Sequence, residues 1–168
     1  MMLTRRQTFA AIAASLMLAA CASTPPPVTN TIYLVRHAEK QSGDDPALTL
    51  IGRTRADILA QELSDANLTA IYSTAYKRTR QTAAPTARAQ NLDVFEYDPR
   101  NLESFAAQLR ATPGNILVVG HSNTTPELVK LLGGKPGAPI DEAAEYDRLY
   151  VLTADGRKFR TELRRYGN

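Results

Sequence analysis

Tryptophan is absent from this 168-residue chain, cysteine occurs once at Cys21, and histidine occurs twice, at His37 and His121. A lone cysteine cannot close a disulfide within the chain, so the fold must rest on a packed core. With Cys21 in a segment apart from the domain, two histidines leave too few soft partners for a zinc site of three or four ligands, and no cofactor is expected. The formal net charge of +3 is too slight to argue for a nucleic-acid surface, and no nucleic-acid partner is expected. The apolar run over 8–20 is too short to cross a bilayer comfortably. What is left is one domain of ordinary size and globular composition, preceded by a segment unlike it.

That segment has Arg5 and Arg6 ahead of an uncharged run rich in Ala, Leu and Ile, then small residues, which are the parts of a secretory signal. Leu18-Ala19-Ala20-Cys21 resembles the lipobox of bacterial lipoproteins. The resemblance implies acylation of Cys21 as the first residue of the mature chain and, because Ala22 rather than Asp follows it, sorting to the outer membrane in a cell with two membranes. The competing reading is an ordinary secreted protein with a stray thiol. Thr4-Arg5-Arg6 partly fits a twin-arginine signal, with Phe9 one place late, which leaves the export route open. Pro25, Pro26 and Pro27 then give a stiff, extended tether. The expected division is a signal peptide over 1–20, a lipidated tether over 21–30 and a folded domain over 31–168.

Within the domain, Thr31-Ile32-Tyr33-Leu34-Val35 reads as a buried strand that empties into Arg36-His37. The spacing predicts a helix over 49–63 capped by Thr49, a strand over 70–73, and a helix over 78–89 interrupted or bent at Pro85. A weak strand over 93–97, a helix over 102–109, a buried strand over 115–120 and a helix over 127–132 with Pro126 at its first turn follow. Strands over 148–153 and 159–165, joined by the turn Ala154-Asp155-Gly156, close the chain. Strand and helix alternate, which predicts an α/β fold: a three-layer αβα sandwich with a mainly parallel central sheet, finished by an antiparallel hairpin.

Three of these strands end in polar residues: Arg36-His37, Ser73-Thr74 followed by Arg78, and Gly120-His121-Ser122-Asn123. Parallel strands bring such ends to one edge of the sheet, where ligands bind in open α/β folds. Arg36-His37 alone reads as a surface pair, but both histidines of the chain fall at such ends. Arginine presents a planar fork suited to phosphate oxygens, and a neutral imidazole among positive charges is a competent nucleophile. The expected ligand is a phosphate. Gly133-Gly134-Lys135 lacks the first glycine of a phosphate loop, and Ser122 lacks the glycine-flanked elbow of a hydrolase serine. Glu145-Tyr146-Asp147-Arg148 reads as a strand entrance that could also line the pocket mouth.

Leu34-Val35-Arg36-His37-Ala38-Glu39, Leu48-Thr49 with Gly52, Tyr72-Ser73-Thr74 through 78–83, and Val119-Gly120-His121-Ser122-Asn123 together resemble the histidine phosphatase superfamily, the phosphoglycerate-mutase-like fold, in its small bacterial branch. The resemblance implies that His37 is the nucleophile that becomes phosphorylated. It implies that Arg36, Arg78 and His121 hold the phosphoryl oxygens, with Asn123 or backbone amides near the last strand end as helpers, and that water then releases phosphate without a metal. Arg80 is the rival of Arg78, two positions on and turned to another side of the helix. Ala38 stands where the family usually has glycine. The family's glutamate-containing acid motif is not found; Asp98 is the first choice for proton donor and Glu103 the second, the alternative for Asp98 being a turn residue before Pro99.

The resulting expectation is a monomeric, metal-independent phosphohydrolase of small phosphate monoesters, working through a phosphohistidine. It would be anchored by Cys21 in a bacterial envelope, on the periplasmic face of the outer membrane. The alternatives are a noncatalytic envelope lipoprotein binding an anionic ligand or partner, and a protein-phosphohistidine phosphatase. Specificity would lie in the loops over 41–47 and 133–145.

Overall fold

The sheet is built around two strands that read as continuous apolar runs because both of their faces are covered. In a computed structural model, which describes residues 30–155 and 158–167, β1 (Asn30–Arg36) and β4 (Gly114–Gly120) lie side by side and parallel. The export signal, Cys21 and the prolines of the tether lie outside the described residues. Asn30, expected as the last tether residue, already opens β1, and its side-chain amide donates to the Leu109 and Thr112 carbonyls.

Between these strands the chain adds α1 (Leu50–Glu62), β2 (Leu68–Ser73), α2 (Lys77–Gln90), β3 (Val94–Glu96) and α3 (Leu102–Ala111). After β4 come α4 (Thr124–Leu131), β5 (Arg148–Asp155) and β6 (Lys158–Arg165). The strand order is β3-β2-β4-β1-β5-β6, parallel from β3 to β1 and antiparallel from β1 through β6. The α/β architecture with a mainly parallel sheet and a final hairpin is therefore as the sequence predicts. The hairpin differs in extent: Ala154 and Asp155, expected in the turn, still pair with Phe159 and Lys158.

The period of two in the strands sorts the core into two layers. Ile32, Leu34, Ile116, Val118, Tyr150 and Leu152 pack with Phe105 and Leu109 of α3 and Leu128 and Val129 of α4. The alternate residues Val35, Leu117, Val119, Leu149 and Val151 pack with Leu59 of α1 and Ala83 and Ala87 of α2. Helices thus cover both faces, completing the three layers.

Two helices depart from expectation. α2 runs unbroken through Pro85, because the buried face of Thr79, Thr82, Ala83, Thr86 and Ala87 gains more from packing than one missing N–H costs. α4 begins at Thr124, three residues before its expected start, because Asn123 caps it by accepting from the Thr124 N–H. Pro126 then falls within the first turn, where its lack of an N–H is harmless.

At the start of α1, Thr49 accepts from the Gly52 N–H as expected of its cap. A Cβ on Gly52 would overlap the main-chain carbonyl of Glu39, so glycine is what lets α1 sit directly on the loop that follows β1. Ala38, Leu48 and Ala56 form a small buried cluster at the same place. The methyl of Ala38 fills that contact, which is why alanine fits where the resemblance led one to expect glycine.

Candidate active site

The register of the sheet sets the site. Arg36 of β1 is the Cα partner of Gly120 of β4, and Ser73 of β2 is the partner of Val119. His37 and His121 therefore leave neighbouring strands at the same level, and the His37 N–H donates to the Gly120 carbonyl at 2.9 Å. Their ring centroids lie 5.5 Å apart. A cleft of about 450 Å³ opens over this edge, lined by His37, Arg78, His121, Asn123, Lys40 and Glu142 among others. The start of α4 also faces it through Ser122 and Thr124, a helix end whose dipole favours anions.

His37 is buried, and its Nδ1 lies 2.8 Å from the Ala38 carbonyl. A carbonyl can only accept, so Nδ1 carries the proton and Nε2 keeps its lone pair. Burial pushes the imidazole down to about 3, opposed by the bond to Ala38 and assisted by Arg36, His121 and Arg78. His121 is pushed down to about 4, by burial first and then by Arg78 and Arg36. Its Nδ1 lies 3.5 Å from Arg78 Nη2 and its Nε2 3.0 Å from Thr74 Oγ1. Arginine has no acceptor, so Nδ1 accepts and Nε2–H donates to Thr74. Thr74 continues to Thr79 at 2.9 Å, and Thr79 donates to the Tyr76 carbonyl at 2.8 Å. This chain fixes the His121 ring and Arg78 together. Gly120 is tightly enclosed here: a Cβ would approach Thr125 Oγ1 and Tyr97 Oη to 2.8 Å.

Both histidines are thus neutral in the resting protein near neutral pH. Their folded-state values lie below the ordinary 6.5, so the stability tied to keeping them uncharged is complete above that value. It is lost as the pH falls toward 4 and 3. Since the chain contains no other histidine, its imidazole Cε1–H NMR signals should all stay flat between about pH 8 and 5. A midpoint near 6.5 for either signal would contradict this.

Arg36 is buried beside the cleft. Its Nη1 donates to the Glu145 carbonyl at 2.9 Å and the Asp141 carbonyl at 3.3 Å, and its Nη2 to the Glu142 carbonyl at 2.8 Å. The Tyr146 ring lies 4.0 Å from the guanidinium carbon. Among the described residues, the buried Nε atoms of both Arg36 and Arg78 have no hydrogen-bond partner. Two cationic donors without partners beside a nucleophilic imidazole suit an oxyanion with three oxygens to hold.

The expected site residues divide in the structure. His37, Arg78, His121 and Asn123 line one cleft, with Arg36 packed next to it. Arg80 turns away and pairs with Glu96 at the surface. Asp98 does not join them: its carboxylate accepts from the Arg100 side chain at 3.0 and 3.1 Å and from the Arg100 N–H. Those bonds hold it below the usual carboxylate range and commit it to Arg100, outside the lining of the cleft. Glu103 is exposed in the first turn of α3, outside the cleft. The sequence reading missed Thr74 as a support of His121, Tyr76, whose ring lies 4.3 Å from the Arg78 guanidinium carbon, and Glu142. Thr74 and Tyr76 lie beside a strand end already singled out, which was the available signal. Among the described residues no three His, Cys, Asp or Glu side chains group as a metal site would need, and no helix is long and apolar enough to cross a membrane.

The family model of the histidine phosphatase superfamily (branch 1) matches residues 32–106. Phosphoserine phosphatase 1 of Hydrogenobacter thermophilus is 43% identical over a 75-residue alignment that covers 40% of this chain and 36% of that enzyme. The chain thus aligns with about a third of the length of that curated relative. A proposed phosphohistidine phosphatase SixA from Agrobacterium tumefaciens superposes with a TM-score of 0.64 at 24% identity, covering 84% of this chain and 98% of the other. A mycobacterial glucosyl-3-phosphoglycerate phosphatase superposes with a TM-score of 0.63 at 14% identity, covering 82% and 98%. The two superpositions show a shared fold.

Proposed function

The chain belongs to the histidine phosphatase superfamily, and from that premise we propose that it hydrolyses small phosphate monoesters through a phosphohistidine on His37, without a metal. The observation that carries this reading is the pairing of a lone-pair-bearing His37 Nε2 with two arginines whose buried Nε–H groups have no partner among the described residues. Nε2 attacks phosphorus, and the cations and the α4 N-terminus stabilise the charge that spreads over the phosphoryl oxygens. Water then displaces the imidazole and releases phosphate. The 43%-identical relative, whose name specifies phosphoserine, supports small esters as the substrate class. The lipobox-like Leu18-Ala19-Ala20-Cys21 supports a lipid anchor and an extracytoplasmic site of action, on the periplasmic face of the outer membrane.

The test is rapid-quench intact mass of the full chain, extracted in detergent and mixed with para-nitrophenyl phosphate in the presence of a chelator. Turnover with an acid-labile gain of one phosphate is the expected result. The same spectrum should show a mature chain that begins at lipid-modified Cys21. Folded protein with neither turnover nor phosphoenzyme would instead support an envelope lipoprotein that only binds anions.

A further inference from the structure

The cleft over His37 has a single carboxylate among its lining residues, that of Glu142 in the loop between α4 and β5. Building on the phosphohydrolase reading, we propose that Glu142 is the proton donor to the departing oxygen of the substrate. The other acidic side chains around the site are committed elsewhere. Glu39 pairs with Arg55, Asp45 accepts from the Lys77 N–H, and Asp98 is held by Arg100. Asp141 accepts from the Ala143 N–H, and Glu145 is clamped by Arg148 and Arg165. Among the described residues, no hydrogen bond or ion pair engages the Glu142 carboxylate.

Its main chain, by contrast, is fixed to the catalytic machinery. The Glu142 carbonyl accepts from Arg36 Nη2 at 2.8 Å and from the Tyr146 hydroxyl at 3.5 Å. The loop is held from behind as well, since buried Arg148 donates to the Ala138 and Pro139 carbonyls at 2.7 and 3.2 Å and grips the Glu145 carboxylate. An anchored backbone with an uncommitted carboxyl can meet a leaving group that projects out of the cleft. The charged and titratable groups lining the cleft with it are His37, Lys40, Tyr76, Arg78, Arg100 and His121.

In the first half-reaction the lone pair of His37 Nε2 forms the N–P bond as the ester P–O bond breaks. The Glu142 carboxyl proton passes to the departing oxygen, which leaves as an alcohol. In the second half-reaction the Glu142 carboxylate takes a proton from water while the water oxygen bonds to phosphorus. The N–P bond breaks, its electron pair returns to Nε2, and Glu142 is again protonated.

The experiment compares the full chain with its Glu142→Gln variant on para-nitrophenyl phosphate, whose leaving group needs no proton, and on an alkyl phosphate, whose leaving group does. The variant is expected to lose about 10²-fold or more in kcat/KM on the alkyl ester and to stay within about threefold in kcat/KM on the aryl ester, while its kcat falls on the aryl ester too, because the second half-reaction uses the same carboxylate. A retained aryl kcat/KM also shows that the variant is folded. An equal loss of kcat/KM on both substrates, no loss on either, or a wild-type enzyme confined to the aryl ester would overturn the assignment and leave the phosphohydrolase standing. A wild-type chain inactive on both, with no phosphoenzyme, would remove the phosphohydrolase reading and this inference with it.

Discussion

His37→Ala is expected to abolish phosphate release and phosphoenzyme formation together, a loss on the order of 10⁴-fold or more. The reason is that, among the described residues, no second imidazole is free to take its place. The ring centroid of His121 is 5.5 Å away, and both of its nitrogens are engaged, one with Arg78 and one with Thr74. Cys21 lies in the expected anchor, outside the described residues. The measurement is steady-state turnover paired with quenched intact mass, and the shape of the thermal unfolding transition controls for folding. A variant that kept a tenth of wild-type activity, or still gained phosphate, would show that the covalent intermediate forms elsewhere.

Arg36→Ala should produce the next largest effect, and on two quantities at once. The guanidinium is a cation beside the nucleophile and also the hub on which the carbonyls of Asp141, Glu142 and Glu145 converge. Its truncation removes transition-state stabilisation worth about 10² to 10³ in rate. The freed loop groups lose partners at a cost of about 1 to 3 kcal/mol in stability. Arg36→Lys should recover little of either, since an ammonium is a point charge and cannot span three carbonyls as a planar fork does. Arg80→Ala, which breaks only an exposed pair with Glu96, is the matched control and should change neither quantity. Activity in Arg36→Lys close to wild type would mean that charge alone matters at this position.

How far the sequence could be read follows from where information is local. The buried runs 31–36 and 115–120 have an unmistakable pattern, and once they are parallel neighbours the convergence of Arg36-His37 with His121 follows from the register. Arg78 could be preferred to Arg80 because two positions on a helix differ by more than a right angle. Asp98 could not be read correctly, because its fate depends on Arg100, a nearby partner whose side-chain geometry has no periodic signature. The continuity of α2 through Pro85 is a tertiary effect, decided by what its far face buries. The loop over 133–147 has no period at all, so neither its grip on Arg36 nor the position of Glu142 was legible.

That grip has a consequence for the order in which the site comes into being. Arg36 leaves the first strand, yet the Glu145 carbonyl that it meets is 109 residues further along the chain. The Arg148 that steadies Glu145 opens the final hairpin. Contacts so distant in sequence close late, because the loop between them must be ordered first. A chain emerging from the ribosome, or threading through an export channel, would therefore carry its nucleophile long before it had a finished anion cradle. Catalytic competence would arrive only with the last strands, so that a partly made copy would have little means of attacking phosphate esters around it.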